Sequence, residues 1–167
     1  MNQEPAELFR DRLAEAGGRA ELTASHGEAL ALVREWAGDR PVLVDDHPDL
    51  AGLRVAGERP RDPWDAEVGV TGVLGAAADT GTLALGPAPG RPRGTAVLPG
   101  THLAVVPLSR LHADYAALIA ALGRLDPMPS GLQLVTGPSR SGDIESAMIQ
   151  GMHGPRAVRV AVYPDDV

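Results

Sequence analysis

The chain has no cysteine and no lysine among its 167 residues, and aromatic side chains make up only 3% of it. Without cysteine there can be no disulfide, no thiol nucleophile, no zinc-cysteine site and no thiolate-bound iron-sulfur cluster. Without lysine, Schiff-base catalysis and a lysine-bearing phosphate loop are excluded. So few rings leave the core to leucine, valine, alanine and isoleucine, and offer little for stacking on bases or sugars. Long apolar runs are also lacking, because Gly, Pro or a charge interrupts each one well short of the roughly 20 residues a membrane helix requires. The start, Met1-Asn2-Gln3-Glu4-Pro5, is acidic and leads into an amphipathic stretch, unlike a secretory leader. A soluble protein of the cytoplasm with no membrane span is expected.

What is present is ordinary for a globular chain: 44% hydrophobic and 22% charged residues. This is too apolar for intrinsic disorder, and the length suits one domain. We expect a single domain over residues 1–167, with N-terminal helices in 1–40 and an α/β core in 41–167. The 22 acidic residues outnumber the 15 arginines, giving a net charge of −7. The arginines gather in no cluster, so nucleic acid is not an expected partner.

Pro5 in a first turn, Phe9, Leu13 and Ala16 at helical spacing, and the stop Gly17-Gly18 predict a helix over 5–16. Ser25 to Glu28 has the spacing of a capping box, and Ala29, Leu32, Val33 and Trp36 predict a second helix ending near Gly38. Pro41 to Asp45 is a short apolar run ending in acids, the pattern of a buried strand whose carboxyl end meets a loop. Further strands are expected at Leu53–Ala56, Val68–Thr71, Thr82–Leu85, Leu103–Val106, Leu132–Thr136 and Ala157–Tyr163. Ser109 could cap a helix carrying Leu111, Tyr115, Leu118 and Leu122. Strands alternating with helices imply a largely parallel sheet covered on both faces, with ligands beyond the strands' carboxyl ends. Residues 86–100, rich in proline and glycine, read as a loop near that edge.

Three segments could carry chemistry. Ala78-Asp79-Thr80-Gly81-Thr82 offers a carboxylate, two hydroxyls and a glycine that lets a ligand approach the backbone; the same residues could simply stabilise a tight turn. Thr136-Gly137-Pro138-Ser139-Arg140-Ser141-Gly142-Asp143-Ile144-Glu145 follows a strand and opens toward a helix-like stretch. Arg140 could grip a carboxylate or phosphate there, while Asp143 could be only a cap. In Gly151-Met152-His153-Gly154-Pro155 the glycines would permit close approach of a ligand, and neutral imidazole is a competent general base. His102, after Pro99-Gly100, is a comparable candidate. Thr136 to Ser141 lacks the second glycine of a nucleophile elbow, and no dinucleotide fingerprint occurs. No two histidines stand in the HExxH arrangement, so no metal site is expected from Asp79, His102, Glu145 and His153.

In order, Ala78 to Thr82, Leu98-Pro99 with His102, Thr136 to Arg140 with Asp143-Ile144-Glu145, and Gly151 with His153-Gly154-Pro155 resemble the lactate-utilisation protein C family, the family of the LUD domain. The resemblance covers residues 65–163, with Ser141-Gly142 standing where a Thr-Ala pair is common. It implies a three-layer α/β/α sandwich with a mostly parallel sheet, similar to the ribose-5-phosphate isomerase and CoA-transferase-like superfamily. It also implies a non-redox accessory subunit of an L-lactate oxidation system, working beside two iron-sulfur partner proteins. The lack of cysteine agrees with that division of labour, and no cofactor is expected. Asp79, Thr80, Gly81, Thr82, His102, Thr136, Gly137, Ser139, Arg140 and Gly154 are the expected ligand-binding residues for a small carboxylate or phosphate, with Glu145 and His153 as catalytic candidates. The alternative is a stand-alone enzyme of the sugar-phosphate isomerase or acyl-transfer type using Glu145 or Asp79.

Overall fold

The computed structural model describes residues 4–141, 149–150 and 153–165. Helix α1 (Glu4–Glu15) turns Ala6, Phe9 and Leu13 inward. Burying a Phe or Leu side chain contributes about 1.5–3 kcal/mol, which fixes this stripe against the core. Gly17, at φ 89°, takes the left-handed conformation that ends the helix. Strand β1 (Arg19–Leu22) follows directly, so residues 1–40 contribute a strand as well as the two expected helices. Helix α2 (His26–Ala37) begins as its spacing predicts: Ser25 Oγ accepts from the Glu28 amide at 3.2 Å. Glu28 reaches back to the Ala24 amide at 2.8 Å. Gly38, at φ 62°, closes it.

Strands β2 (Val42–Val44), β3 (Val68–Thr71), β6 (Thr101–Pro107) and β11 (Ala157–Tyr163) join β1 in a five-stranded sheet of order β1-β11-β6-β3-β2. Every pairing in it is parallel. The protein is therefore α/β with a parallel sheet, as expected. Side chains alternate through it: Leu103 and Val105 meet α2, while Ala104 and Val106 meet α1 on the other face.

The layer on the α1 side is more than helices. Strands β4 (Gly75–Ala77), β5 (Thr82–Leu85), β7 (Leu111–His112) and β8 (Gln133–Val135) form a second sheet of order β7-β4-β5-β8. Both β4-β5 and β5-β8 are antiparallel. Leu83 and Leu85 face α1 and the parallel sheet; Ala84, between them, faces Leu118 and Leu122 of α4 (Tyr115–Leu122). The α4 helix thus packs on the second sheet. A short helix, α3 (Gly94–Val97), lies over β3, and β9 (Arg140–Ser141) pairs with β10 (Ile149–Gln150).

Two local expectations are corrected. Leu53–Ala56 forms no strand, because the chain leaves a 3-10 turn at Pro48–Leu50 and closes Leu53 N onto Leu50 O at 3.0 Å. Ser109 caps no helix. Residues 108–110 make a 3-10 turn, Leu111 enters β7, and Asp114, whose Oδ1 accepts from the Ala117 amide at 2.7 Å, starts α4. An Asp three residues before a free amide is the stronger cap.

Candidate functional site

The segments singled out by sequence converge at the last turn of α1. Gly81 (φ 66°) and Gly137 (φ 71°) both have the left-handed backbone that disfavours a side chain. A Cβ on Gly81 would stand 2.6 Å from Leu13 N, and one on Gly137 would stand 2.6 Å from Ala16 O. Two loops distant in sequence therefore close onto the same helix end, and glycine is what lets them reach it.

Between these loops runs a chain of hydroxyls. Thr80 Oγ1 lies 2.8 Å from Thr82 Oγ1, which lies 2.6 Å from Thr136 Oγ1. Thr82 is buried and Thr136 exposed, so the chain leads from the core to the surface. The Ser139 amide donates to Pro155 O at 2.9 Å, tying the second segment to the third. Gly154 sits against Ser139: a Cβ there would approach Ser139 Cβ to 3.4 Å. The Arg140 guanidinium lies against Gly17 and is exposed, as are Asp79 and His153. Arg12, paired with Glu15 at 2.8 Å, is near enough to Asp79 to feel its charge.

Thr80, Gly81, Thr82, Thr136, Gly137, Ser139, Arg140 and Gly154 are thus brought together, with His153 beside Gly154. Glu145 and Asp143 lie outside the described residues. The cluster stands at the amino edge of the parallel sheet, since Gly17-Gly18 leads into β1 and His153 to Arg156 lead into β11. It presents an exposed guanidinium, a row of hydroxyls and an exposed imidazole. The Thr80, Thr82 and Thr136 hydroxyls bond to one another.

His102 stands apart. It is fully buried on β6, and its Nε2 lies 2.9 Å from Thr71 Oγ1. Burial pushes its pKa down to about 4, so the ring is neutral at pH 7.

At the opposite edge, beyond the carboxyl ends of β2 and β3, Asp45, His47, Thr71 and Arg91 line a recess floored by Gly72 and Val73. The His47 ring lies on Gly72, where no side chain could fit. Its Nδ1 accepts from the Asp49 amide at 3.2 Å, which leaves the ring proton on Nε2. Burial lowers the His47 pKa, with Asp49 acting the other way. Arg110 clasps Asp49 at 2.5 Å behind it. Burial pushes the Asp45 carboxyl up to about 6, partly offset by Thr95, Arg91 and Arg59. These four lining residues come from three separate stretches of chain and form no motif. The available signals were the acidic end of the Pro41–Asp45 run and the proline-glycine loop at 86–100, which meet here through Asp46 N and Gly90 O at 2.9 Å.

A parallel sheet backed by a second sheet is a fold already seen in a solved structure. The crystal structure of a DUF162 family protein from Deinococcus radiodurans superposes with a TM-score of 0.75 over 98% of both chains, at 20% identity. Residues 57–163 match the LUD domain, and the chain belongs to that family, in the lactate-utilisation protein C group. It is 35% identical over 151 residues to Lactate utilization protein C of Exiguobacterium sp., covering 80% of this chain and 65% of that protein. Against Lactate utilization protein C of Macrococcus caseolyticus it is 32% identical over 104 residues, covering 60% and 45%. The chain spans about half to two thirds of the length of these relatives. Among the described residues no helix is long and apolar enough to cross a membrane.

Proposed function

We propose that the chain is a non-redox accessory component of a cytoplasmic L-lactate-oxidising system, working beside iron-sulfur partner proteins that carry the electrons. Its amino-edge cluster binds a small anion or an acidic group of a partner, with Arg140 as the anchor. The observation that supports this reading is the closure of two distant motif segments on the end of α1, tied by the Thr80-Thr82-Thr136 hydroxyls, with the third segment joined to them by the Ser139-Pro155 bond. An exposed arginine on such a frame is preorganised for a carboxylate or phosphate, because its fork gives two parallel charge-assisted bonds. The absence of cysteine supports leaving the clusters to partners. The relatives' names supply the lactate context. The test is deletion of this gene alone: growth should fail on L-lactate and persist on a carbon source that bypasses lactate. Undiminished growth on L-lactate would refute the role.

A further inference from the structure

The recess at the carboxyl edge has unused binding capacity that the amino-edge reading does not employ. Asp45 Oδ1 and Arg91 Nε are both shielded from solvent and have no hydrogen-bond partner. Both side chains line the recess, and Arg91 is close enough for its charge to act on Asp45, yet among the described residues no ion pair joins them. Arg93 also borders the recess, but it is exposed and its guanidinium lies against Gly131, so Arg91 is the cation beside Asp45 within the lining. Asp45 and Arg91 are half-buried, and a shielded carboxylate oxygen and guanidinium nitrogen left unbonded in a cleft are costly unless something completes them.

Each group limits what that something can be. Arg91 calls for an anion, and its planar fork suits a carboxylate. Asp45 calls for a hydrogen-bond donor, such as a hydroxyl. Thr95 already bonds the Asp45 carboxyl, and it is the Oδ1 oxygen that is left without a partner. The remaining wall is mostly apolar, with Val73, Leu85 and Ala96, and includes Gln133. The enclosed space is about 20 Å³, so an occupant larger than a water or two reaches into the open mouth. It opens past His47 and Arg91 into a shallow groove lined also by Arg110.

We infer that this recess is a second binding site, which takes a small 2-hydroxycarboxylate with its carboxylate on Arg91, its hydroxyl on Asp45 and its short alkyl group against Val73 and Ala96. The ligand class rests on the recess alone; L-lactate as the probe rests on the proposed function.

The test is a titration of the ¹⁵N-labelled full chain with L-lactate, with propanoate, which keeps the carboxylate and methyl but lacks the hydroxyl, and with inorganic phosphate. L-Lactate should shift the Gly72, Val73 and Arg91 amides and saturate in the millimolar range, with propanoate at least ten-fold weaker. Arg91→Gln should weaken L-lactate at least ten-fold, and Asp45→Asn should narrow the preference over propanoate. The comparison of the two acids needs no variant, so it stands even if a substitution impairs folding. Equal affinity for the two acids, phosphate alone moving these amides, or no shift with any of the three would overturn the site. Signals from Gly137 and Ser139 report the amino edge separately, so failure here is distinct from failure of the proposed function.

Discussion

Thr82 and Thr136, 54 residues apart, share a hydroxyl contact of 2.6 Å that joins strand β5 to the loop after β8. Thr80 extends it at 2.8 Å. Thr82 is only 3% exposed, so its hydroxyl depends on these partners. Thr82→Val preserves shape and removes the central oxygen, and should cost about 1–2 kcal/mol in urea unfolding. Thr136→Val should cost less, since water can replace its partner. The double variant should fall short of the sum of the two, because both remove one contact. Strict additivity would show that the contact contributes nothing.

Gly81→Ala and Gly137→Ala should each destabilise by about 2 kcal/mol or more, since each adds a Cβ to a left-handed residue and drives it into the end of α1. The melting temperature measures this. Gly27→Ala is the control: it has a Cβ site with only Ser25 Oγ within 4 Å, at 3.9 Å, and should be tolerated. A neutral Gly81→Ala would mean that the loop does not close on the helix.

Two buried groups should give opposing pH dependences. His102 titrates near 4 in the folded chain against an ordinary 6.5, so protons favour the unfolded state. Its contribution is fully present above pH 6.5 and is lost as pH falls to 4, by up to about 3 kcal/mol. Asp45, raised from 3.8 to about 6, acts the other way: its ionisation disfavours the fold as pH rises through that window. Asp45→Asn should therefore raise stability at pH 7 to 8 and have no such effect below pH 3.8. In His102→Gln the rise of stability with pH between 4 and 6.5 should disappear. Denaturant midpoints across pH 4 to 8 check both signs.

His153 is exposed, so His153→Ala should change stability by no more than about 0.5 kcal/mol while impairing growth on L-lactate. A stable variant with full growth would remove His153 from the site.

The strands and helices with a strong period were legible in the sequence. Ala157–Tyr163 and Val68–Thr71 coincide with β11 and β3, and the Ser25 capping spacing marks the start of α2. Illegible elements carry weak local signals. Strand β1 has charged Arg19 and Glu21 paired with each other at 2.5 Å, and is a strand because β11 runs beside it. Strand β4 is Gly-Ala-Ala, chosen by the close packing of two layers rather than by propensity. The second sheet was hidden for the same reason: the Thr82–Leu85 run does not reveal that its partners are antiparallel. At the amino edge the motifs named the residues, whereas their position was unexpected, because His153 to Pro155 feed into a strand rather than leave one. At the carboxyl edge Asp45, His47, Thr71 and Arg91 converge only through the fold.

The most direct test of the central claim is complementation of the deletion strain with Arg140→Ala. Arg140 is exposed at the start of β9, beside segments held by backbone and threonine contacts, so its truncation should leave the melting temperature of the purified protein unchanged. The variant should then fail to restore growth on L-lactate while the wild-type gene restores it fully. A folded Arg140→Ala protein, expressed at the wild-type level, that restores wild-type growth on L-lactate would contradict the account.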